Sequence, residues 1–271
     1  MNTYWVVGHP LSFCLTTEVM NGALRALGTE DHFETHDLES EEACKQALEA
    51  LRQGELAGIM VTRPYKKVFF EALDSPDKEV QILEAANWVT MKNGKLHGSN
   101  TDWLGAQAAI TQVLPELAGL HVHILGAGGA ARAVAYACQQ GGAKVSMWNR
   151  TQERAKASAE LLGLEWVEDM RNWNGQPDVI INATSASDQP NQSTLVPYPL
   201  WAKVQLAMDA VYGKTSLFLE EAKAMQVPHV LPGEAWFIEQ CLPLYTLITG
   251  KEAPRDLITQ LTRESKIIRK D

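Results

Sequence analysis

Apolar and polar positions along the chain follow two alternating periods. Short runs rich in β-branched and aromatic residues fall at 4–8, 33–38, 58–62, 88–92, 95–98, 122–126, 144–148, 165–167, 178–183, 206–211 and 229–231. Their length and composition predict strands. Between them, amphipathic stretches predict helices over 18–27, 40–53, 66–73, 102–114, 129–140, 151–162, 216–226, 234–249 and 255–268. Strand–helix alternation of this kind builds an α/β fold with mostly parallel sheets. Neither repeats nor low-complexity tracts interrupt it.

A chain of 271 residues is expected to form two domains. The break falls near residue 102, where a long helical stretch leads into a new strand, H-V-H-I-L-G. The helices from 234 onward follow a complete second set of strands. Such helices serve as a connector and a lid, so they are expected to return to the N-terminal domain. The expected division is 1–102 with 237–271, and 103–236 between them.

Composition narrows the classes of function. Hydrophobic residues make up 45% and charged residues 21%, which suits a globular protein with a real core. The 33 acids against 24 bases, net −9, argue against a nucleic-acid partner. No apolar run reaches the roughly 18–20 residues of a membrane helix, and no basic-then-apolar leader opens the chain. Cys14, Cys44, Cys138 and Cys241 are scattered without a C-x-x-C. Together these point to a cytoplasmic, reducing setting without structural disulfides or a membrane partner. His121 and His123 flank Val122 and share one face of their strand, but no Cys or Glu cluster joins them, so no metal is expected.

The clearest chemistry lies at Gly126-Ala127-Gly128-Gly129-Ala130-Ala131, which follows a strand and opens a helix. Glycines allow the sharp turn and the close approach of backbone to a pyrophosphate, which the helix N–H groups then meet. The next strand ends in W-N-R-T-Q-E-R, with Asn149, Arg150, Thr151 and Arg154. An NAD site usually carries an acid there. Guanidinium groups instead pair with a 2′-phosphate, and cations at a helix N-terminus call for an anion. The cofactor expected is NADP.

A second set of polar residues closes the third strand in V-T-R-P-Y-K-K, residues 61–67. Pro64 forces a turn, which puts Thr62 and Lys66 near the strand's C-terminal end, where α/β sheets bind ligands. Further on, H-G-S-N-T-D-W places Asp102 at a helix start. By spacing alone, Asp102 serves equally as an N-cap and Lys66 as a solvated surface charge. A Lys–Asp pair could equally accept the proton that a secondary alcohol loses during hydride transfer.

Taken together, Met60-Val61-Thr62-Arg63-Pro64-Tyr65-Lys66, Gly98-Ser99-Asn100-Thr101-Asp102, the G-A-G-G-A turn, N-R-T at 149–151, A-T-S after the 178–183 strand, and Gly233 with Gln240 on a late helix resemble the shikimate dehydrogenase family over nearly the whole chain. The resemblance implies an N-terminal α/β substrate domain completed by the C-terminal helices, plus a Rossmann NADP-binding domain. It implies that Lys66 and Asp102 are catalytic, that Asn87, Gln240 and Thr62 hold the ring hydroxyls, and that Tyr212 meets the substrate carboxylate. Thr184 and Gly233 fall on the cofactor side.

The run V-G-H-P-L-S-F-C-L-T-T, residues 7–17, lies between a strand and a helix. In the family the corresponding loop reads S-x-S-x-S-P and grips the substrate carboxylate. Ser12 keeps that role by resemblance, whereas Cys14, a weak donor, replaces a serine and Thr16 and Thr17 follow. Met60 stands for a family Asn, Trp88 for Thr and Trp236 for a Met near the nicotinamide. All four departures are expected around the substrate, which reads as kept chemistry in a reshaped pocket. The implied activity is NADP-dependent oxidation of shikimate or reduction of 3-dehydroshikimate by a monomer or homodimer. The alternatives are quinate, aminoshikimate or another cyclic hydroxy acid as substrate, and a non-catalytic NADP or metabolite sensor. The N-T-D and T-x-P-x-K pair points away from a folate-type dehydrogenase.

Overall fold

The computed structural model describes residues 1–12, 14–184, 196–213, 216–265 and 267–268. Two compact units emerge, Met1–Thr101 with Gln240–Asp271, and Asp102–Glu239. Among the described residues no helix is long and apolar enough to cross a membrane.

The first unit runs β1 (Thr3–Gly8), α1 (Thr16–Ala26), β2 (His32–Asp37), α2 (Glu41–Arg52), β3 (Gly58–Val61), α3 (Lys66–Glu71), β4 (Ser75–Pro76), α4 (Lys78–Leu83), β5 (Trp88–Lys92) and β6 (Lys95–Ser99). Its sheet has the order β2-β1-β3-β5-β6-β4. One face buries Val7, Ile59, Val61 and Val89 against Leu48 and Leu51 of α2 and Phe69 of α3. Ser40 caps α2 by accepting the Ala43 N–H, so the helix starts where its apolar stripe first meets the sheet.

The sheet is mixed rather than uniformly parallel, because β5 runs antiparallel to both β3 and β6. The turn between β5 and β6 is Asn93-Gly94, and both residues have positive φ. That is the two-residue hairpin signal, which was present in the sequence. The expected helices over 66–73, 102–114 and 255–268 are shorter, at Lys66–Glu71, Asp102–Thr111 and Arg255–Glu264. β4 and α4, two and six residues long, were too short to show a period.

The second unit runs α5 (Asp102–Thr111), β7 (His121–Leu125), α6 (Gly129–Gln140), β8 (Lys144–Trp148), α7 (Gln152–Leu162), β9 (Glu165–Trp166), β10 (Val179–Asn182), β11 (Leu206–Asp209), α8 (Leu217–Ala224) and β12 (His229–Leu231). The strand order is β12-β11-β10-β7-β8-β9, all pairs parallel. The first strand lies in the middle and the chain winds out to both sides. The carboxyl ends of β7 and β10 therefore flank the switch point at which open α/β sheets bind ligands.

The last long helix, α9 (Gly233–Thr249), begins in the second unit and ends in the first. α10 (Arg255–Glu264) then packs on α1. Gly22 leaves room for Leu261, whose methyl would lie 2.7 Å from a Cβ there, and Ser265 donates to Glu18 at 2.6 Å.

Candidate active site

The glycine turn follows β7 directly. Gly126 has φ +120°, and a Cβ at this position would lie 2.8 Å from the Ala183 carbonyl oxygen. Only glycine lets the turn pass this close to the end of β10. Gly128 is the extended N-cap of α6, and a Cβ there would meet nothing within 4 Å. Gly128 thus borders open space at a helix N-terminus with no capping side chain. That cradle fits a pyrophosphate. Ser158 of α7 donates to the Ala127 carbonyl at 3.0 Å and fixes the turn from behind.

β8 leads into Asn149, Arg150 and Thr151, and Arg154 lies in the first turn of α7. Asn149 donates to the Thr151 carbonyl at 3.0 Å, while Arg150, Thr151 and Arg154 are exposed. Two guanidinium groups thus stand at the positive end of an α-helix, which fits a phosphate ligand.

The ends of β10 and β11 are linked in a way the sequence reading missed. Asn182 and Asp209 are register partners and both fully buried. Asn182 Nδ2 donates to Asp209 at 3.2 Å, and Asn182 Oδ1 accepts the Thr184 hydroxyl at 2.7 Å and its N–H at 3.1 Å. Asp209 also accepts the Val211 N–H at 2.9 Å. This chain ties Thr184, beside the glycine turn, to the segment carrying Tyr212. The signal was an apolar run ending in Asn and another ending in Asp at strand C-termini. Ser185 of the A-T-S run lies outside the described residues.

Tyr212 is half-buried and its ring is 5.4 Å from that of Phe237 in α9. A Cβ on Gly233 would lie 2.3 Å from the Val211 carbonyl oxygen, so glycine lets α9 start against this segment. Glu234 then accepts the Gly213 N–H at 2.9 Å.

In the first unit, the loops after β1 and β3 meet through the His9 N–H and Arg63 carbonyl at 2.9 Å. Each carries a cis X-Pro bond, His9-Pro10 and Arg63-Pro64. Thr62 is half-buried and its hydroxyl accepts the Arg63 N–H at 2.6 Å. Lys66, also half-buried, is the first residue of α3. Ser12 is exposed, and residue 13 lies outside the described residues.

Cys14 lies just before α1. Burial dominates and holds the thiol above its ordinary pKa, although the neighbouring Thr16 and Thr17 and the nearby Lys66 charge work the other way. Cys14 is therefore a neutral thiol. Cys241, beside Gln240 in α9, is buried and its pKa is likewise raised. Thr17 bonds Thr35 of β2 at 2.6 Å, so its hydroxyl has a structural partner.

Asn87 is fully buried and grips Thr101 at two points. Its Oδ1 accepts the Thr101 N–H at 2.8 Å, and its Nδ2 donates to the Thr101 hydroxyl at 2.9 Å. Asn87 thereby holds the strand end that leads into Asp102. Asp102 itself opens α5 and is buried. Gln240 is half-buried and begins the returning part of the chain.

Family models match twice. Residues 6–89 match the shikimate dehydrogenase substrate binding domain, and residues 108–194 match shikimate / quinate 5-dehydrogenase. The NADP(+) shikimate dehydrogenase of Aquifex aeolicus is 31% identical, covering 96% of each chain. The chain belongs to the shikimate dehydrogenase family. Among solved structures, the Aquifex aeolicus shikimate dehydrogenase superposes with a TM-score of 0.89 at 30% identity, covering 97% of this chain and 98% of that one. The Thermus thermophilus enzyme, solved with NADP(H) and shikimate, gives 0.85 at 33% identity over 97% and 99%.

Against the family pattern, one of the four departures, Trp88, is a core residue of the first sheet. Trp88 is 4% exposed and packs on Tyr4 and Phe33 at ring distances of 5.8 and 6.4 Å. Its ring fills the space above Gly58, where a Cβ would come within 2.6 Å. Met60 pairs with Trp88 in the sheet and is also 4% exposed. For Trp88 this corrects the expectation that it surrounds the substrate: a large ring over a glycine is a core exchange of volume.

Proposed function

We propose that this chain catalyses the NADP-dependent interconversion of shikimate and 3-dehydroshikimate, with Lys66 and Asp102 as its acid–base pair. The reading is carried by an end-to-end match to NADP(+) shikimate dehydrogenases in which T-x-P-x-K and N-T-D stand intact at 62–66 and 100–102. NADP supplies the hydride acceptor, or the donor in reverse.

The chain's residues bind, orient and move the proton. The backbone of Gly126 to Ala130 holds the pyrophosphate, and Arg150 and Arg154, with Asn149 and Thr151, hold the 2′-phosphate ribose. Thr184 and Gly233 border the same ligand. Ser12, Cys14 and Tyr212 face the substrate carboxylate, while Thr62, Asn87 and Gln240 align the ring hydroxyls. A carbinol that loses hydride must also lose its O–H proton. The Asp102 carboxylate orients the Lys66 side chain; in oxidation Lys66 as the free amine takes that proton from the hydroxyl oxygen and becomes the ammonium, and in reduction the ammonium returns it.

Shikimate, quinate and aminoshikimate, each with NADP and with NAD, form the deciding assay, read by nicotinamide absorbance. The highest kcat/KM is expected for shikimate with NADP. Turnover of quinate or aminoshikimate with shikimate inert would reassign the substrate. NADP binding without turnover of any acid would make the chain a sensor.

A further inference from the structure

Asp102 is the first residue of α5, a position where helices fray. Here the residue before it and the peptide unit after it are both held. Before it, Asn87 clamps Thr101 by the two hydrogen bonds given above. After it, the Asp102 carbonyl accepts the indole N–H of Trp236 at 2.8 Å.

Trp236 is well placed to hold that carbonyl still. It is 5% exposed, so its ring has little room to swing. The helix turn that carries it is tied on both sides: Glu234 accepts from Gly213, and Glu239 accepts the Gln112 amide at 2.7 Å beyond the end of α5. α9 therefore grips α5 near both ends, by Trp236 at the start and Glu239 past the finish.

We propose that Trp236 is a positioning residue that sets the aim of the Asp102 carboxylate by fixing the peptide plane on its C-terminal side. A carbonyl oxygen has two lone pairs, and the first residue of a helix normally offers only one to the ladder. Engaging the second restrains the Cα–Cβ direction of Asp102. Acid–base geometry is sensitive to displacements of this kind. Methionine, which the family resemblance leads one to expect here, has no N–H to give. Simple core packing would fill the same volume without directing the indole nitrogen at this oxygen. The inference rests on Asp102 being half of the acid–base pair.

The test is a mutant cycle on the full chain. Trp236→Phe keeps a ring and loses the donor; Trp236→Met is the second variant, with folding of both checked by thermal unfolding. Each is expected to lower kcat for shikimate by about 2- to 12-fold, the loss of one hydrogen bond, with the KM for shikimate and the affinity for NADP unchanged. In an Asp102→Asn background, which keeps the carbonyl, the same substitution should lower kcat no further. An unchanged kcat in both Trp236 variants, a loss that multiplies with Asp102→Asn, or a change confined to KM would overturn the positioning role and leave the proposed activity standing. An unchanged kcat in Asp102→Asn alone would instead remove the acid–base assignment, and this inference with it.

Discussion

At Cys14 a sulfur stands just before α1, where Thr16, Thr17 and Lys66 favour the anion but burial outweighs them. A serine oxygen in the same place is a stronger donor and acceptor than a thiol and would offer its O–H to a carboxylate. Cys14→Ser is therefore expected to lower the KM for shikimate by about ten- to a hundredfold, the equivalent of about 1.5–3 kcal/mol for a bond to a charged group. Turnover should change less, since this contact is present in both ground and transition states. Steady-state kinetics check it, and an unchanged KM would show that the loop does not reach the carboxylate. At this scale, short-range motifs were legible. The glycine turn and the Asn149–Arg154 run declare themselves because strand, turn and helix are adjacent in sequence. The Trp236–Asp102 bond spans 134 positions, and no local pattern announces it. Trp88 misled for a related reason: its role depends on Gly58, on a different strand.

Among the elements, β7 carries the least expected interior. His121 and His123 point to one face, as alternation requires, and both bond the Ser146 hydroxyl of β8, at 2.8 and 2.9 Å. Trp173 covers them, its ring 4.5 Å from that of His123. Burial pushes His123 down to about 3, helped by His121 and opposed by Glu165. His121 is lowered too, by burial and by Lys144, against Glu165 and Asp178. A folded-state pKa below the unfolded value of about 6.5 means that the unfolded chain binds protons first. The contribution is therefore present above pH 6.5 and is lost as the pH falls from there towards 3. Between pH 7 and pH 5, His123 alone should remove about 2 kcal/mol of unfolding free energy. Urea unfolding at the two pH values should show a smaller loss for His123→Gln than for the parent chain. Equal losses would mean that His123 titrates normally in the folded protein. Period-two patterning revealed that the two histidines share a face. It could not reveal what lies over them, because Trp173 belongs to a segment with no regular pattern.

For the whole molecule, the order of strands and helices was readable because each long element has a strong period of its own. The antiparallel pairing of β5 was less so, since pairing partners are set by tertiary packing, although Asn93-Gly94 marked the hairpin. The proposed catalytic pairing is the hardest feature to read from order alone. Lys66 opens a helix of the first unit and Asp102 is the first residue of the second. The claim that they work as one acid–base unit is tested most directly by kcat for shikimate oxidation in Lys66→Ala, Asp102→Asn and the double variant. Each single change is expected to lower kcat by about 10²–10⁴-fold, with NADP affinity retained, and the double variant should be little worse than the poorer single one. Losses that multiply, or a single variant that turns over like the parent chain, would contradict the account.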